Sequence, residues 1–144
     1  MFTSSWIASA TFNSISGAFS VDDYYPIAGS TILDTGDNGN LFLGFNTPTN
    51  TSASYATIIG YQAGRYMDDG GANYNTFIGH KTGVYTTGYR NTAVGNYALR
   101  YNTTGFHNTA IGAWALQGKS YPTTGTGNTA VGYLTLYQIT TGDY

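Results

Sequence analysis

The side chains with the clearest chemical potential are two adjacent carboxylates and two histidines. Asp68 and Asp69 lie in a loop flanked by glycine. Glycoside hydrolysis needs two carboxylates facing each other across the substrate, and neighbours in a flexible loop do not provide that spacing. His80 and His107 occupy different positions of the repeat described below, so they are not expected to form a ligand pair or a catalytic base with a partner. We therefore expect solvated turn carboxylates, surface or packing histidines, and no enzymatic activity.

Metal and cofactor binding find equally little support in the sequence. Asp34, Asp37, Asp68 and Asp69 could offer oxygen ligands, but their spacing matches no calcium-binding loop. The chain has no cysteine, which excludes a disulfide framework, a thiol nucleophile and a zinc knuckle. The sequence predicts neither a metal nor a cofactor.

The charge pattern argues against nucleic acid and anionic lipid as partners. Charged residues make up 8% of the chain, against about 25% in ordinary globular domains. The formal charge is −2, and the five basic residues are scattered beyond position 64 without forming a run. No apolar stretch is long enough for a membrane-spanning helix, so membrane insertion is not expected.

The elements that must position these residues are short repeats. A five-residue frame of the form Asn-Thr-x-aliphatic-Gly begins at residues 75, 91, 108 and 128, and earlier copies fit at 40 and 56. A Thr-Thr-Gly marker stands at residues 86–88, 103–105, 123–125 and 140–142. Each of the first three markers ends three residues before the next Asn. A period of this length indicates one supersecondary unit, a rung, stacked on its neighbours.

The spacing of the frame predicts fixed strands and variable loops. Its last residue is Gly44, Gly60, Gly79, Gly95, Gly112 and Gly132, which gives steps of 16, 19, 16, 17 and 20 residues. Thr, Tyr, Ile, Val and Phe suit strands, and glycine suits a bend with positive φ or close backbone contact. We predict an all-β chain of β-roll or β-helix-like rungs. Each rung is expected to run strand, glycine bend, second strand and turn, with the longer loops protruding.

Alternation along the strand assigns the two faces of each frame. The fourth position is always aliphatic, so we expect it to form the core. The third position changes from large residues to alanine, and small residues would let backbones of neighbouring chains approach. Rungs of this size leave strand edges open, which favours a closed association of identical chains, most simply a homotrimer. The residues expected to pack the rungs and the trimer are Phe77, Ile78, Ala93, Val94, Ala110, Ile111, Ala130 and Val131.

The chain divides into two parts. Residues 1–38 are not repetitive and predict a docking or capping segment, and residues 39–144 predict the glycine-punctuated fibre. Aromatic residues in or beside the outer turns are candidates for contacts with glycans or protein partners, unless they only cover the rung surface. These candidates are Tyr66, Tyr85, Tyr101, Trp114, Tyr121 and Tyr137.

The repeated phrase resembles a known group of proteins. Asn-Thr-Ala-Ile/Val-Gly followed by x-x-Ala-Leu and Thr-Thr-Gly is similar to the repeat regions of bacteriophage tail fibres and, more distantly, to the heads of trimeric autotransporter adhesins. The resemblance covers about residues 40–142 and is strongest at 75–142. It implies a trimeric β fibre with an attachment role.

The resemblance leads to one expected function and two alternatives. The expected function is a fibre or capsid decoration protein on the virion surface, held by another virion protein through residues 1–38 and contacting host polysaccharide. A fragment of a bacterial cell-surface adhesin is the first alternative, which an upstream signal and a membrane anchor would favour. The second is an ice-binding solenoid with a threonine ladder, against which the irregular steps and bulky turn aromatics count.

Overall fold

The computed structural model describes residues 30–31, 39–48, 53–67, 72–119, 123–139 and 141. These residues form seven short strands and no helix. The strands lie side by side in chain order in one sheet. Their bounds are β1 Ser30–Thr31, β2 Leu41–Phe45, β3 Thr57–Ile59, β4 Thr76–Ile78, β5 Thr92–Val94, β6 Thr109–Ile111 and β7 Thr129–Val131.

Strands β2 to β7 are parallel and pair in the same register throughout. Thr57 of β3 pairs with Thr76 of β4, and Thr76 pairs with Thr92 of β5. Because each strand pairs with its equivalent one repeat later, the chain winds as a parallel β-solenoid of about five turns. This confirms the all-β repeat architecture. The unequal repeat lengths do not disturb the sheet, since the extra residues lie between strands.

The first strand belongs to the segment predicted to dock or cap. Ser30 and Thr31 pair antiparallel with Phe45 and Gly44 of β2, on the edge that faces away from β3. The rest of residues 1–38 lies outside the described residues, as do the tips of both loops predicted to protrude, residues 68–71 and 120–122.

An asparagine ladder explains the first position of the frame. Asn75 Oδ1 accepts the backbone N–H of Asn91, and Asn91 Oδ1 accepts that of Asn108, at 2.8 and 3.0 Å. The side-chain amide of Asn75 donates to the Gly88 carbonyl, and that of Asn91 to the Gly105 carbonyl. Each amide therefore satisfies two backbone groups that burial would otherwise leave unpaired.

The same ladder explains why the Thr-Thr-Gly marker ends three residues before the next Asn. The marker glycine supplies the carbonyl that the preceding asparagine amide binds. A methyl group on Gly88 would overlap the Gly105 carbonyl oxygen, so a side chain does not fit there. Asn40 makes the equivalent contacts with Ala53 and Ala56, although neither the marker glycine nor the next asparagine is present in that rung.

The third position of the frame, not the fourth, forms the core, so the predicted assignment of faces is wrong. The third-position side chains are at most 2% exposed, while Ile111 and Val131 at the fourth position are 41% and 63% exposed. Alternation then places the first, third and fifth positions inside, because the asparagine amides reach inward to the marker carbonyls. The third-position residues are Phe42, Ile58, Phe77, Ala93, Ala110 and Ala130.

The core volume of a rung is shared between the third frame position and the fourth residue after the frame glycine. Phe77 stands opposite Gly83, where a methyl group would lie 2.6 Å from the phenyl ring. In the next rung Ala93 is accompanied by Leu99, and both are fully buried. Leu99 therefore occupies the space that the smaller third-position residue leaves.

Turns, rather than a second strand, follow each frame glycine. Positive φ angles recur at every other residue in these segments, for example 58° at Tyr97 and 54° at Leu99. This alternation curls the chain back over the core, although hydrogen bonds between rungs continue, such as Leu99 N–H to the Ala115 carbonyl. The predicted second strand is wrong for this reason.

The bend glycines form their own column. Gly112 has a φ of 125°, and a methyl group there would overlap the carbonyl oxygen of Gly132 in the next rung. The prediction that this glycine is needed for positive φ and close backbone contact is confirmed. A search of the described residues for a helix with the length and apolarity to cross a membrane finds none.

Candidate functional site

The most extensive regular surface of the described chain is the outward face of the parallel sheet. It consists of the second and fourth frame positions, and we call it the outer face. One column of it is aliphatic and half-buried to exposed, which is unusual for side chains of this size. Its members are Leu43, Ile59, Ile78, Val94, Ile111 and Val131.

A threonine column runs beside the aliphatic one. Thr76, Thr92 and Thr109 pair in register on adjacent strands and are half-buried. Their hydroxyl groups make no hydrogen bond to any described residue. Strand pairing sets the distance between neighbouring members at about 4.7–4.9 Å, and the variable loops do not change it. The outer face thus has a threonine column beside an aliphatic column, both in register from strand to strand.

A column of six rings in successive contact follows the frame glycines; three of its five contacts are stacked, one is edge-to-face and one is tilted. Successive ring centroids lie 5.2–6.4 Å apart. Because consecutive rungs stack at the spacing of strands, equivalent aromatic side chains are brought into ring contact. The members are Phe45, Tyr61, His80, Tyr97, Trp114 and Tyr133.

His80 is the one histidine of this column. Desolvation by burial, with smaller contributions from Lys81 and Arg100, lowers the pKa of His80 below its ordinary value. Its Nδ1 lies 2.9 Å from the amide nitrogen of Asn96, which donates a hydrogen bond to the neutral ring. The neutral imidazole therefore fits the column better than the imidazolium. His107 lies elsewhere, in edge contact with Tyr89 and Phe106.

A second column, which we call the tyrosine column, consists of Tyr66, Tyr85 and Tyr101. Each is the sixth residue after its frame glycine. Adjacent rings are nearly parallel, with centroids 5.2 and 5.7 Å apart. The guanidinium of Arg65 lies over the Tyr66 ring at 4.9 Å, and that of Arg100 lies over the Tyr101 ring at 4.8 Å. Ring faces in this column are therefore occupied by other rings and by cations.

A third set of rings precedes the strands. Tyr55 stacks on Tyr74 with centroids 5.0 Å apart, and Tyr89 stacks on Phe106 at the same distance. Arg90 lies over both Tyr74 and Tyr89 at 5.6 and 5.7 Å. This set has the same composition as the tyrosine column, with a guanidinium against stacked rings.

No protein-family model, curated protein or solved structure matches this chain. The arrangement of its own surface groups is therefore the evidence on function. Those groups are threonine hydroxyls, aliphatic side chains, ring edges, tyrosine hydroxyls and cations. All of these groups are of kinds that bind ligands or partner proteins.

The structure brings together only some of the predicted contact residues. Tyr66, Tyr85 and Tyr101 form the tyrosine column, and Trp114 belongs to the column after the frame glycines. Tyr137 is half-buried near the end of the described chain. Tyr121 lies outside the described residues.

The carboxylates considered for calcium lie outside the described residues as well: Asp34, Asp37, Asp68 and Asp69. The described residues include no group of three or more metal-ligating His, Cys, Asp or Glu side chains.

The residues predicted to pack the rungs and the trimer fall into two sets. Phe77, Ala93, Ala110 and Ala130 lie inside the solenoid. Ile78, Val94, Ile111 and Val131 lie on the outer face.

Sequence reasoning missed the cations over the rings. Arg65 and Arg100 each precede a tyrosine of the column directly, and this dipeptide was the available signal. Repetition at equivalent rung positions then places these cations and rings along one side of the solenoid.

Proposed function

We propose that this protein is a structural repeat protein that forms a homotrimeric fibre or decoration on the surface of a virion. In this proposal residues 1–38 attach it to another virion protein, and the turn side is displayed to the host surface. The observation that carries the proposal is the aliphatic column of the outer face, which the single chain leaves open. Long exposed apolar strips of this kind mark surfaces that associate.

In a closed trimer, the partner chains cover the outer face that a single chain leaves exposed. Three copies turn their outer faces toward a common axis, so that each aliphatic column packs against those of its partners. Every rung then repeats the same contact, and closed rotational symmetry leaves no copy with an uncovered face. The stacked rings in the turns remain outside and are available to ligands. The resemblance of the repeat to tail-fibre proteins supports the same assembly.

The experiment measures the solution mass of the full chain by light scattering after size-exclusion chromatography. We expect three times the chain mass. Replacement Ile111→Lys places a charge in the centre of the proposed interface, and we expect it to yield single chains. The matched control is Thr104→Lys, at an exposed position in a turn. It should leave the trimer intact, and a wild-type mass of one chain would contradict the proposal.

A bacterial surface adhesin fragment would use the same trimer. The two are distinguished by where the protein is found. Antibody labelling of purified virions supports the virion assignment, and labelling of the bacterial envelope supports the adhesin.

Ice binding is a second candidate function, favoured by the threonine column. Its hydroxyls make no hydrogen bond to any described residue, and its in-register pairing gives the regular spacing that a lattice-matching face needs. The irregular repeat steps do not affect this spacing. An ice-binding solenoid needs its outer face open, so the two functions predict opposite results. Thermal hysteresis from a single-chain species, abolished by Thr92→Leu, would support ice binding and exclude the trimer.

A further inference from the structure

The tyrosine column carries a second feature besides its stacked rings. Arg65 and Arg100 lie over its end rings, and Arg100 also lies over Tyr97 at 4.8 Å. Lys81 Nζ lies 5.6 Å from the centre of the same Tyr97 ring. Three cations that are far apart in the sequence thus share one side of the solenoid, and each is held against an aromatic surface.

One cation of this side also has an unsatisfied hydrogen-bond donor. The Nε of Arg100 is buried and has no hydrogen-bond partner among the described residues. Cations held on rings, one of them with a free donor, are suited to bind an anionic ligand.

The stacking decides which anionic polymer fits. Nucleic-acid bases bind to aromatic side chains by stacking on open ring faces. In the tyrosine column the faces are covered by neighbouring rings and guanidinium groups, so the edges and hydroxyls are what the column offers. Edges and hydroxyls suit the many hydroxyl groups of a sugar, while the cations suit its acidic groups.

We propose that Arg65, Lys81 and Arg100, together with the tyrosine column, form a binding site for an acidic polysaccharide that runs along the solenoid axis. This inference rests on the proposed display of the turn side, and it names the chemical class of the glycan. Binding depends on charge, so it weakens as salt rises.

The test measures binding of the purified full chain to immobilised polygalacturonate by biolayer interferometry. Neutral dextran and single-stranded DNA are the comparison ligands. We expect binding to polygalacturonate that falls at least tenfold between 50 mM and 500 mM salt, with no binding to dextran and weaker binding to DNA. Equal binding to dextran, binding to DNA that is as tight or tighter, or no binding to polygalacturonate at low salt would overturn the inference.

Two variants locate the site. The double variant R65Q/R100Q should weaken binding to polygalacturonate at least tenfold. The control K119Q removes an exposed lysine that lies over none of the described rings, and it should change binding less than twofold. If K119Q weakens binding as much as the double variant, the site assignment is overturned.

A third variant keeps the test informative if the double variant R65Q/R100Q does not fold. Tyr66→Phe keeps the stacked ring and removes its hydroxyl, and it should weaken binding about threefold. Unchanged binding by this variant would contradict the role of the ring edge. Solution mass is measured on the same samples. A trimer that does not bind polygalacturonate contradicts this inference and supports the proposed fibre. A single chain that binds polygalacturonate supports this inference and contradicts the proposed fibre.

Discussion

At the scale of the residue, hydrogen bonds explain why asparagine and glycine recur at fixed positions of each rung. The first-position asparagine is the one small side chain that can donate to the carbonyl of the marker glycine and accept from the backbone N–H of the next rung. Aspartate lacks the donor, and serine is too short to reach both groups. The frame asparagine and the marker glycine are thus the donor and the acceptor of one hydrogen bond.

Replacement Asn75→Ala tests this contact. It removes the amide that serves the Asn91 N–H and the Gly88 carbonyl, both within the buried ladder. Each unsatisfied buried group costs about 1–3 kcal/mol, so we expect a loss of about 2–5 kcal/mol in the free energy of unfolding. Urea denaturation measures it. The control Asn96→Ala removes a half-buried amide whose one hydrogen bond to a described side chain goes to His80, and it should cost under about 1 kcal/mol.

The frame glycines allow a sharper comparison, because two of them have nearly the same backbone conformation. Gly112 and Gly132 have φ angles of 125° and 123°. A methyl group on Gly112 overlaps the next rung, whereas one on Gly132 meets, among the described residues, only the methyl group of Thr135, at 3.3 Å. We expect Gly112→Ala to destabilise the fold by at least about 2 kcal/mol more than Gly132→Ala. Equal losses in thermal unfolding would mean that φ strain, rather than packing between rungs, requires the glycine.

At the scale of the element, a rung is a unit of fixed interior volume. Ile58 and Phe77 at the third position are found with glycine on the turn side, and the third-position alanines are found with leucine. Phe77 with Gly83 and Ala93 with Leu99 are two solutions to the same space. Leucine fits there although the site has positive φ, because Leu99 adopts a φ of 54°, close to the 56° of Gly83.

Because the two side chains share one space, substitutions at the third frame position and at the turn-side position should not have additive effects on the free energy of unfolding. Phe77→Ala should cost about 3–5 kcal/mol because it leaves a cavity. Gly83→Leu alone should also destabilise, because the leucine would overlap the phenyl ring. The double variant recreates the neighbouring rung, so we expect it to be more stable than either single variant. Additive losses in a double-mutant cycle would show that the two positions do not share one space.

At the scale of the whole molecule, the solenoid encloses its core without help from a partner but leaves its outer face open. The surface that we propose for association therefore differs from the one that the sequence suggested. The third-position alanines, which were expected to contact neighbouring chains, lie inside the solenoid. The fourth-position aliphatic side chains, which were expected to form the core, lie on the outer face, where a partner chain could cover them. A trimer remains the proposed solution.

Association should appear in the stability of the wild-type chain. Unfolding of a trimer into single chains depends on concentration by mass action. For a chain of this length, a hundredfold increase in concentration should raise Tm by about 5–7 °C. Differential scanning fluorimetry measures this. A Tm that stays constant over that range would argue for an independent single chain, and Ile111→Lys should show such a constant Tm.

The repeat by itself determined the strands, their order and their parallel register. Identical segments at near-constant spacing pair with their equivalents, because the hydrogen-bonding and side-chain patterns match only in that alignment. The positions of the bend glycines also followed from sequence, since close backbone contact tolerates no side chain.

Only the tertiary structure decided which side of the strand is inside. Both sides of the frame carry apolar residues, such as Ala110 and Ile111, so a period of two fits either assignment. The choice depends on the curled turns, whose alternating φ angles carry Leu99 and Leu116 over the third position and leave the fourth uncovered. It depends equally on asparagine amides that reach carbonyls about thirteen residues away. Long-range contacts of this kind leave no mark in the local pattern, and so the burial of the alanines and the grouping of Arg65, Lys81 and Arg100 became visible only in the folded chain.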